Sequence, residues 1–378
     1  MKPKVNVRMR LAAWLTLATL IVTACTTPAA TTQAPVTEAP QEMVKVTLQL
    51  QWFAQSQFAG YFAALDKGYY KDEGLDVTIK EGAVEIVPQQ VLASGQADFA
   101  LAWVPKALVT RQEGAKIVNI AQVFQRSGTL EVSWKDSGIT KPEDWKGKKV
   151  GTWGFGNEFE VLAAINKVGL DKDKDLTLVQ QPFDMSLLLN REVDAAEAMT
   201  YNEYAQVLET KNPATGELYK PEDLTVIDFN KVGTAMLQDA VWAREDWLAD
   251  PKNQDVAVRF LRASYKGWVF CRDNFDECVQ IVLNHGPQLG KGHMTWQLNE
   301  INKLIWPSPA GIGVMDKALW DQTIQVATSQ KILNAAPDAG AYRDDLAKQA
   351  ADAMKAAGLD VTGSGYTPKQ VQVTEGGN

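Results

Sequence analysis

Residues 67–77, KGYYKDEGLDV, join a helix to a strand and set the α/β character of the chain. In residues 58–65, just before them, apolar side chains recur at the three- and four-residue spacing of an amphipathic helix. Gly68 and Gly74 punctuate the segment, and residues 75–79 after it have the pattern of a strand. The order helix, short connection, strand is the building unit of α/β proteins.

The same alternation continues on both sides of this segment. Residues 46–52 alternate apolar and polar side chains, which predicts a half-buried strand near a sheet edge. Asn157 and Glu160 have the spacing of a capping box at the start of a later helix. Strand–helix–strand repeats predict mixed or parallel sheets flanked by helices. Further strands are predicted at 98–103, 116–124, 148–153, 176–180, 195–199, 224–228 and 235–242, and helices at 88–94, from 106, from 255, and at 295–304, 316–333 and 341–357.

Two such α/β units and a helical end predict two lobes with a ligand cleft between them. We assign 44–133 and 235–357 to lobe I and 134–234 to lobe II, with the chain crossing near 130–134 and 234–238. The tail, 358–378, is rich in Gly and Thr and is expected to be frayed. In open α/β sheets, ligands bind beyond the carboxyl ends of the strands, so the loops there should carry the binding residues.

The N-terminus has the features of a lipoprotein leader. Four basic residues precede the apolar run 11–22, which is too short for a stable membrane span, and small residues lead to Cys25. We predict a signal peptide at 1–24, lipidation of Cys25, and a disordered tether at 25–43 that is rich in Thr, Ala and Pro. The protein would then be held on the extracytoplasmic face of the cell membrane. An ordinary leader with an incidental cysteine is the alternative.

Charge and cysteine content limit the partners. The formal net charge is −8 and no Lys/Arg-rich patch stands out, which argues against nucleic acid. Cys271 and Cys278 are a candidate disulfide in an oxidising compartment, provided that the helix breaks at Asn274, which with Glu277 has the spacing of a capping box for a new helix; a free pair is the other reading. His285 and His293 do not have ligand spacing, so no metal site is predicted, and both are expected to be structural or exposed.

The loops after the predicted strands combine aromatic rings with amides and carboxylates. Aromatic faces stack on a flat ring, and amides offer donors and acceptors to its edge. Arg126 is the one cation among them, whereas a sulfonate or nitrate site would be expected to use more. Each residue could instead be an ordinary core, rim or hinge residue, so the prediction depends on the cluster. The candidate ligand-binding residues are Trp52, Gln55, Gln57, Trp103, Gln125, Arg126, Trp153, Phe155, Asn157, Glu158, Tyr201, Asn202, Glu203 and Asp239.

From about residue 44 to about residue 346 the chain resembles type II periplasmic binding proteins of the thiamine-precursor and taurine/nitrate import type. The resemblance is carried by residues 51–53, 64–70, 73–77, 92–99 and 147–151. It implies a two-lobed cleft, no catalysis, no cofactor, and an ABC permease with its ATPase as partners; we expect a monomer. Thiamine-precursor binders usually have Asp-Trp-x-Pro-Asn after the first strand, whereas this chain has Gln51-Trp52-Phe53-Ala54-Gln55.

This difference and a closer resemblance to the family's riboflavin-binding member favour riboflavin as the ligand. A thiamine pyrimidine precursor is the main alternative. An enzyme resembling the eukaryotic pyrimidine synthases would need histidine and cysteine side chains at the site, and the predicted cleft loops contain neither. A surface adhesin or scaffold is the third class, and binding of a macromolecule alone would identify it.

Overall fold

The computed structural model describes residues 43–83 and 85–378. The predicted signal peptide and Cys25 lie outside these residues, as does the predicted tether except for Met43. None of the helices in the described ranges combines the length and the apolar composition that a bilayer crossing requires.

Ten strands form two five-stranded sheets within the described residues. The first sheet has the order β2-β1-β3-β10-β4 and the second the order β7-β6-β8-β5-β9. Each sheet has one strand antiparallel to its two neighbours, β10 in the first and β5 in the second. The strands are β1 (Val44–Gln49), β2 (Leu75–Lys80), β3 (Phe99–Trp103), β4 (Ile117–Gln122), β5 (Thr129–Trp134), β6 (Lys149–Thr152), β7 (Thr177–Gln180), β8 (Ala195–Met199), β9 (Leu224–Asp228) and β10 (Asp239–Arg244).

Helices cover both sheets. The last five helices follow one another after the final strand, as the helical pattern after residue 255 predicts. They are α1 (Ala59–Asp66), α2 (Tyr69–Asp72), α3 (Pro88–Ala93), α4 (Val104–Gln112), α5 (Phe159–Lys167), α6 (Ser186–Leu189), α7 (Glu203–Leu208), α8 (Phe229–Val232), α9 (Glu245–Leu248), α10 (Pro251–Asp273), α11 (Phe275–His285), α12 (Lys291–Ile305), α13 (Lys317–Ser329) and α14 (Asp345–Ala356).

The chain passes between the two sheets twice, within residues 123–128 and within residues 233–238. The second passage is where the sequence placed it, but the first is earlier. Residues 129–133 were assigned to lobe I, yet they belong to β5, which pairs with β8 and β9 in the second sheet. Local sequence predicts that these residues form a strand, whereas the sheet that the strand joins depends on its distant partners.

Two predicted capping boxes are absent. Helix α5 begins at Phe159 with Glu158 at its N-cap, and Asn157 instead donates to Gly154 O. Helix α10 ends at Asp273, as the predicted helix break requires. The Asn274 side chain donates back to Phe270 O and accepts no hydrogen bond from the first turn of α11, so it does not cap that helix. The helix break nevertheless brings Cys271 and Cys278 together, with their Cα atoms 5.0 Å apart, and they form a disulfide.

The C-terminal segment is not frayed as predicted. Its Val361 carbonyl accepts from Ile312 N at 2.8 Å, and its Lys369 N donates to Asn299 Oδ1 at 2.8 Å. Near the end, Gly376 N donates to the carbonyl of Glu209, just after α7, at 2.9 Å. These hydrogen bonds could not be predicted from the composition of the segment, because they are made mostly by backbone groups, which every residue has.

Candidate functional site

A cavity of about 610 Å³, part of it open to solvent, lies where loops from the two sheets meet. Its walls combine aromatic rings, side-chain amides, one lysine and one carboxyl group. The lining residues are Gln51, Trp52, Gln55, Gln57, Ala83, Ile86, Val87, Trp103, Lys106, Trp153, Phe155, Asn157, Phe183, Met199, Tyr201, Asn202 and Glu203.

Aromatic rings from both lobes meet at this cavity. Trp52 follows β1 in the first sheet, and Trp153 follows β6 in the second. Phe183 lies between them, with its ring centroid 4.0 Å from that of Trp52 and 6.0 Å from that of Trp153. The Trp153 and Phe183 rings are nearly parallel, at 7°. Flat faces presented from two sides suit a planar ligand.

Asp239 orients the polar side chains on the lobe I side of the cavity. Strand β10 runs antiparallel to β3, so its first residue lies at the edge where β1 and β3 end. The Asp239 carboxylate accepts from Gln51 Nε2 at 2.7 Å, Gln57 Nε2 at 2.9 Å and Trp103 Nε1 at 2.8 Å. Burial raises the pKa of Asp239 to about 6, against the effect of these three donors.

Side-chain amides continue from Asp239 across to the second lobe. Gln55 Nε2 donates to Gln57 Oε1 at 2.7 Å, and Gln297 Nε2 of α12 is 3.3 Å from both Gln55 Oε1 and Asn202 Oδ1. Asn202 Nδ2 donates to Glu203 Oε1 at 2.6 Å. A carboxylate at each end therefore fixes which atom of every amide donates and which accepts.

His293 of α12 reinforces this connection. Its Nε2 is 2.8 Å from Asn202 Oδ1, and its Nδ1 is 2.8 Å from Glu209 Oε1. Because the Glu203 contact assigns the Asn202 oxygen to the histidine side, both ring nitrogens of His293 face oxygen acceptors. The histidine that the sequence treats as structural or exposed thus joins α12 to the second lobe beside the cavity. His285 does not line the cavity and contacts Asp66.

Lys106, in the first turn of α4, contributes a buried ammonium group. The residue is 8% exposed, and its Nζ donates to Asn157 Oδ1 at 3.3 Å. Burial lowers the pKa of Lys106 to about 8, although Glu158 and Asp239 act in the opposite direction. Among the described residues that line the cavity, it is the single Lys or Arg.

The structure brings most of the predicted site residues together. Ten line the cavity, namely Trp52, Gln55, Gln57, Trp103, Trp153, Phe155, Asn157, Tyr201, Asn202 and Glu203. Four do not: Gln125, Arg126, Glu158 and Asp239.

Each of these four has another partner. Arg126 donates to the carbonyls of Lys303, Leu304 and Pro307, at the negative end of α12. Gln125 donates to the carbonyls of Gln122 and Val314, and Glu158 accepts from Gly156 N. Asp239 supports the wall from behind.

Sequence reasoning did not select seven lining residues: Gln51, Ala83, Ile86, Val87, Lys106, Phe183 and Met199. Gln51, Phe183 and Met199 belong to the same strand-end loops and could have been chosen by position. Lys106 falls within a predicted helix, and nothing in its local sequence separates it from an exposed lysine.

The two-lobed arrangement with a cavity at the strand ends is the fold of periplasmic solute-binding proteins. A periplasmic sulfonate-binding protein, SsuA from Methylobacillus flagellatus KT, superposes with a TM-score of 0.60 at 16% identity, over 88% of this chain and 99% of that one. A family model described as NMT1/THI5 like matches residues 55–278, more than half of the chain. The chain belongs to this family, and the predictions of fold and family are confirmed.

Two relatives span most of the chain. The riboflavin-binding protein RibY of Chloroflexus aurantiacus is 25% identical over 340 residues, covering 85% of this chain and 93% of that protein. A formylaminopyrimidine-binding protein of Halalkalibacterium halodurans is 22% identical over 272 residues, covering 72% and 77%.

Proposed function

We propose that this protein is the solute-binding component of an ABC importer and that it carries riboflavin. The observation that carries the proposal is the pair Trp52 and Trp153, which come from different sheets and line one cavity with Phe183 between them. A flavin ring offers a large flat face to these rings and polar atoms at its edge to the amides. The similarity to the riboflavin-binding protein RibY supports the same ligand.

The charge of the site argues against a small anion. Lys106 is accompanied by the Glu203 carboxyl in the cavity wall and by Asp239 directly behind it. Burial raises the pKa of Glu203, because a desolvated environment disfavours negative charge. A sulfonate or nitrate would therefore be a poor ligand, although the fold is shared with a sulfonate-binding protein.

The second candidate is a thiamine pyrimidine precursor, because a formylaminopyrimidine-binding protein is also similar over 72% of the chain. A small aminopyrimidine would use the Glu203 end of the amide chain, where Asn202 and Glu203 meet. An enzymatic role finds no support among the lining residues that the structure describes, since they include neither His nor Cys.

Fluorescence titration of riboflavin with the purified protein tests the proposal. Stacking on tryptophan quenches flavins, so we expect saturable quenching at one ligand per chain, and formylaminopyrimidine should not reverse it. Absence of quenching together with tight binding of formylaminopyrimidine would assign the protein to the pyrimidine branch.

The remaining parts of the proposal concern location and partners. A permease and an ATPase would receive the ligand from a monomeric protein held by a lipid on Cys25 at the extracytoplasmic face. Cys25→Ala should move the protein from the membrane fraction to the soluble extracytoplasmic fraction. Unchanged membrane association of this variant would remove the lipid anchor from the account.

A further inference from the structure

Lys106 has more hydrogen-bonding capacity than the protein uses. A lysine ammonium group has three donors, and within the described residues its recorded partner is the oxygen of Asn157, at 3.3 Å. No carboxylate of the described chain lies within 4.0 Å of its nitrogen. Since a buried charge without an ion-pair partner is costly, at least one further acceptor is expected when the site is filled.

The loop after β6 holds Lys106 in this position. Gly156 has φ +86°, and a Cβ added there would lie 3.2 Å from Lys106 Cγ, so the loop packs closely on the lysine stem. Lys106 comes from lobe I, whereas Gly156 and Asn157 come from lobe II. The ammonium group is therefore confined between the lobes, in the wall of the cavity.

Trp153 provides a second unused donor. Its side chain is buried and lines the same cavity, yet its indole Nε1 has no hydrogen-bond partner in the structure. The contrast with Trp103 is informative, because that indole, also in the cavity wall, donates to Asp239 at 2.8 Å. The indole nitrogens of Trp145, Trp268 and Trp306 are also unpaired, but of these four tryptophans only Trp153 lines the cavity, where a ligand could supply the missing acceptor.

We propose that Lys106 and Trp153 together select ligands that carry an uncharged, carbonyl-rich edge on a planar ring, such as an imide or cyclic urea. This inference rests on the proposed function for the planar ring. It adds the chemistry of the edge and the two residues that read it.

An uncharged edge fits the charges around the two donors. The charges of Glu158 and Asp239 act to raise the pKa of Lys106, against the effect of burial, and Glu203 lines the same cavity. Carboxyl groups are therefore already present around the two donors, although none of the described chain lies within 4.0 Å of the Lys106 nitrogen. A phosphate ester would bring further negative charge into this site, whereas a carbonyl would accept from both donors without doing so.

The test compares affinities of riboflavin, riboflavin 5′-phosphate and formylaminopyrimidine for the full protein and three variants. Lys106→Met keeps the aliphatic stem and removes the charge, and Trp153→Phe keeps an aromatic face and removes the N–H. Lys172→Met, at an exposed position in lobe II, is the matched control. Thermal melting shows that each variant is folded.

We expect Lys106→Met and Trp153→Phe each to weaken riboflavin binding about tenfold and Lys172→Met to leave it unchanged. The wild type should prefer riboflavin to its 5′-phosphate. Affinities within twofold of the wild type in both variants would overturn the inference and leave the proposed function standing. A wild type that binds formylaminopyrimidine through Lys106, and does not bind riboflavin, would overturn the proposed function and keep the role of Lys106. Tighter, Lys106-dependent binding of the 5′-phosphate would show that Lys106 binds a phosphate group and not an uncharged ring edge, which would also overturn the inference.

Discussion

At the scale of single residues, amide orientation is the feature that makes the site specific. Gln297 is fully buried on α12 and does not line the cavity, yet it controls residues that do. Its Oε1 accepts from Gln57 N at 3.0 Å, and its Nε2 reaches Gln55 and Asn202 on opposite lobes. Without it, the Gln55 oxygen would lose its donor and could turn away from the ligand, whereas Asn202 would still be held by Glu203 and His293.

Gln297→Met should therefore lower both stability and riboflavin affinity. The Gln57 N–H would be left unpaired in the core, which should reduce the free energy of unfolding by about 1–3 kcal/mol. Affinity should fall about fivefold or more because Gln55 and Asn202 lose their shared donor. Urea unfolding and calorimetric titration measure the two effects, with exposed Gln280→Met as the control. A variant with reduced stability and unchanged affinity would mean that Gln297 is only structural.

The sequence predicted the aromatic and amide members of the site but not the residues that depend on long-range contacts. Trp52, Gln55 and Trp153 follow strands, and strand ends converge in α/β folds, so their position could be read. The sequence placed Asp239 at the site, but it did not show that Asp239 holds the lining residues from behind and does not line the cavity itself. Gln297 and Lys106 lie on helices whose faces toward the cavity are set by tertiary packing, for which the local sequence has no signal.

At the scale of elements, the close contact of α1 with α10 shapes lobe I. Gly60 and Gly267 face each other there, and a Cβ built on Gly267 would lie 1.9 Å from the Gly60 carbonyl oxygen. A Cβ on Gly60 would lie 2.2 Å from the Trp268 ring. Two glycines thus allow the helices to approach at backbone distance, and α1 follows directly on the loop that carries Gln55 and Gln57.

Gly267→Ala should destabilise the protein by about 1–3 kcal/mol, because the helices must separate to admit the methyl group. Gly365→Ala, where an added Cβ meets nothing within 4 Å, is the matched control and should have little effect. Urea unfolding of both variants makes the comparison. Equal stability of Gly267→Ala and the wild type would show that the helices are less closely packed than described.

The elements themselves were largely predictable, and their connections were not. Alternation and periodicity predict β1 and α1 because burial of one face imposes those patterns. The first crossing was misplaced because the pattern of residues 129–134 reports a buried strand and not its neighbours. The capping residues at Asn157 and Asn274 were misassigned because side-chain capping competes with other nearby hydrogen bonds.

At the scale of the whole molecule, lobe II holds two buried carboxyls that lack cationic partners. Glu131 and Glu197 lie directly opposite each other on β5 and β8. Both oxygens of Glu131 and Oε1 of Glu197 have no hydrogen-bond partner in the structure. Burial raises the pKa of Glu131 and of Glu197 well above the usual value, and the Glu131 charge adds to the effect on Glu197.

These raised pKa values predict that the contribution of the two carboxyls to stability decreases from acid toward neutral pH. A carboxyl with a raised folded-state pKa contributes its full stabilisation below the unfolded value of about 4.5, and loses it as pH rises toward the folded value. Glu131→Gln should therefore stabilise the protein by about 1 kcal/mol or more at pH 7, with a smaller gain at pH 5. Thermal melting at both pH values, with exposed Glu143→Gln as control, tests this. A gain that is equal at the two pH values would contradict it.

The central claim for the whole molecule is that both lobes contribute an aromatic face to one planar ligand. Calorimetric titration of riboflavin into the wild type, Trp52→Ala and Trp153→Ala tests it most directly. Tyr219→Ala is the control, because Tyr219 packs against Trp134 and neither residue lines the cavity. We predict that each tryptophan variant loses at least about 1 kcal/mol of binding free energy and that the control loses none. Unchanged affinity in both tryptophan variants would contradict the account.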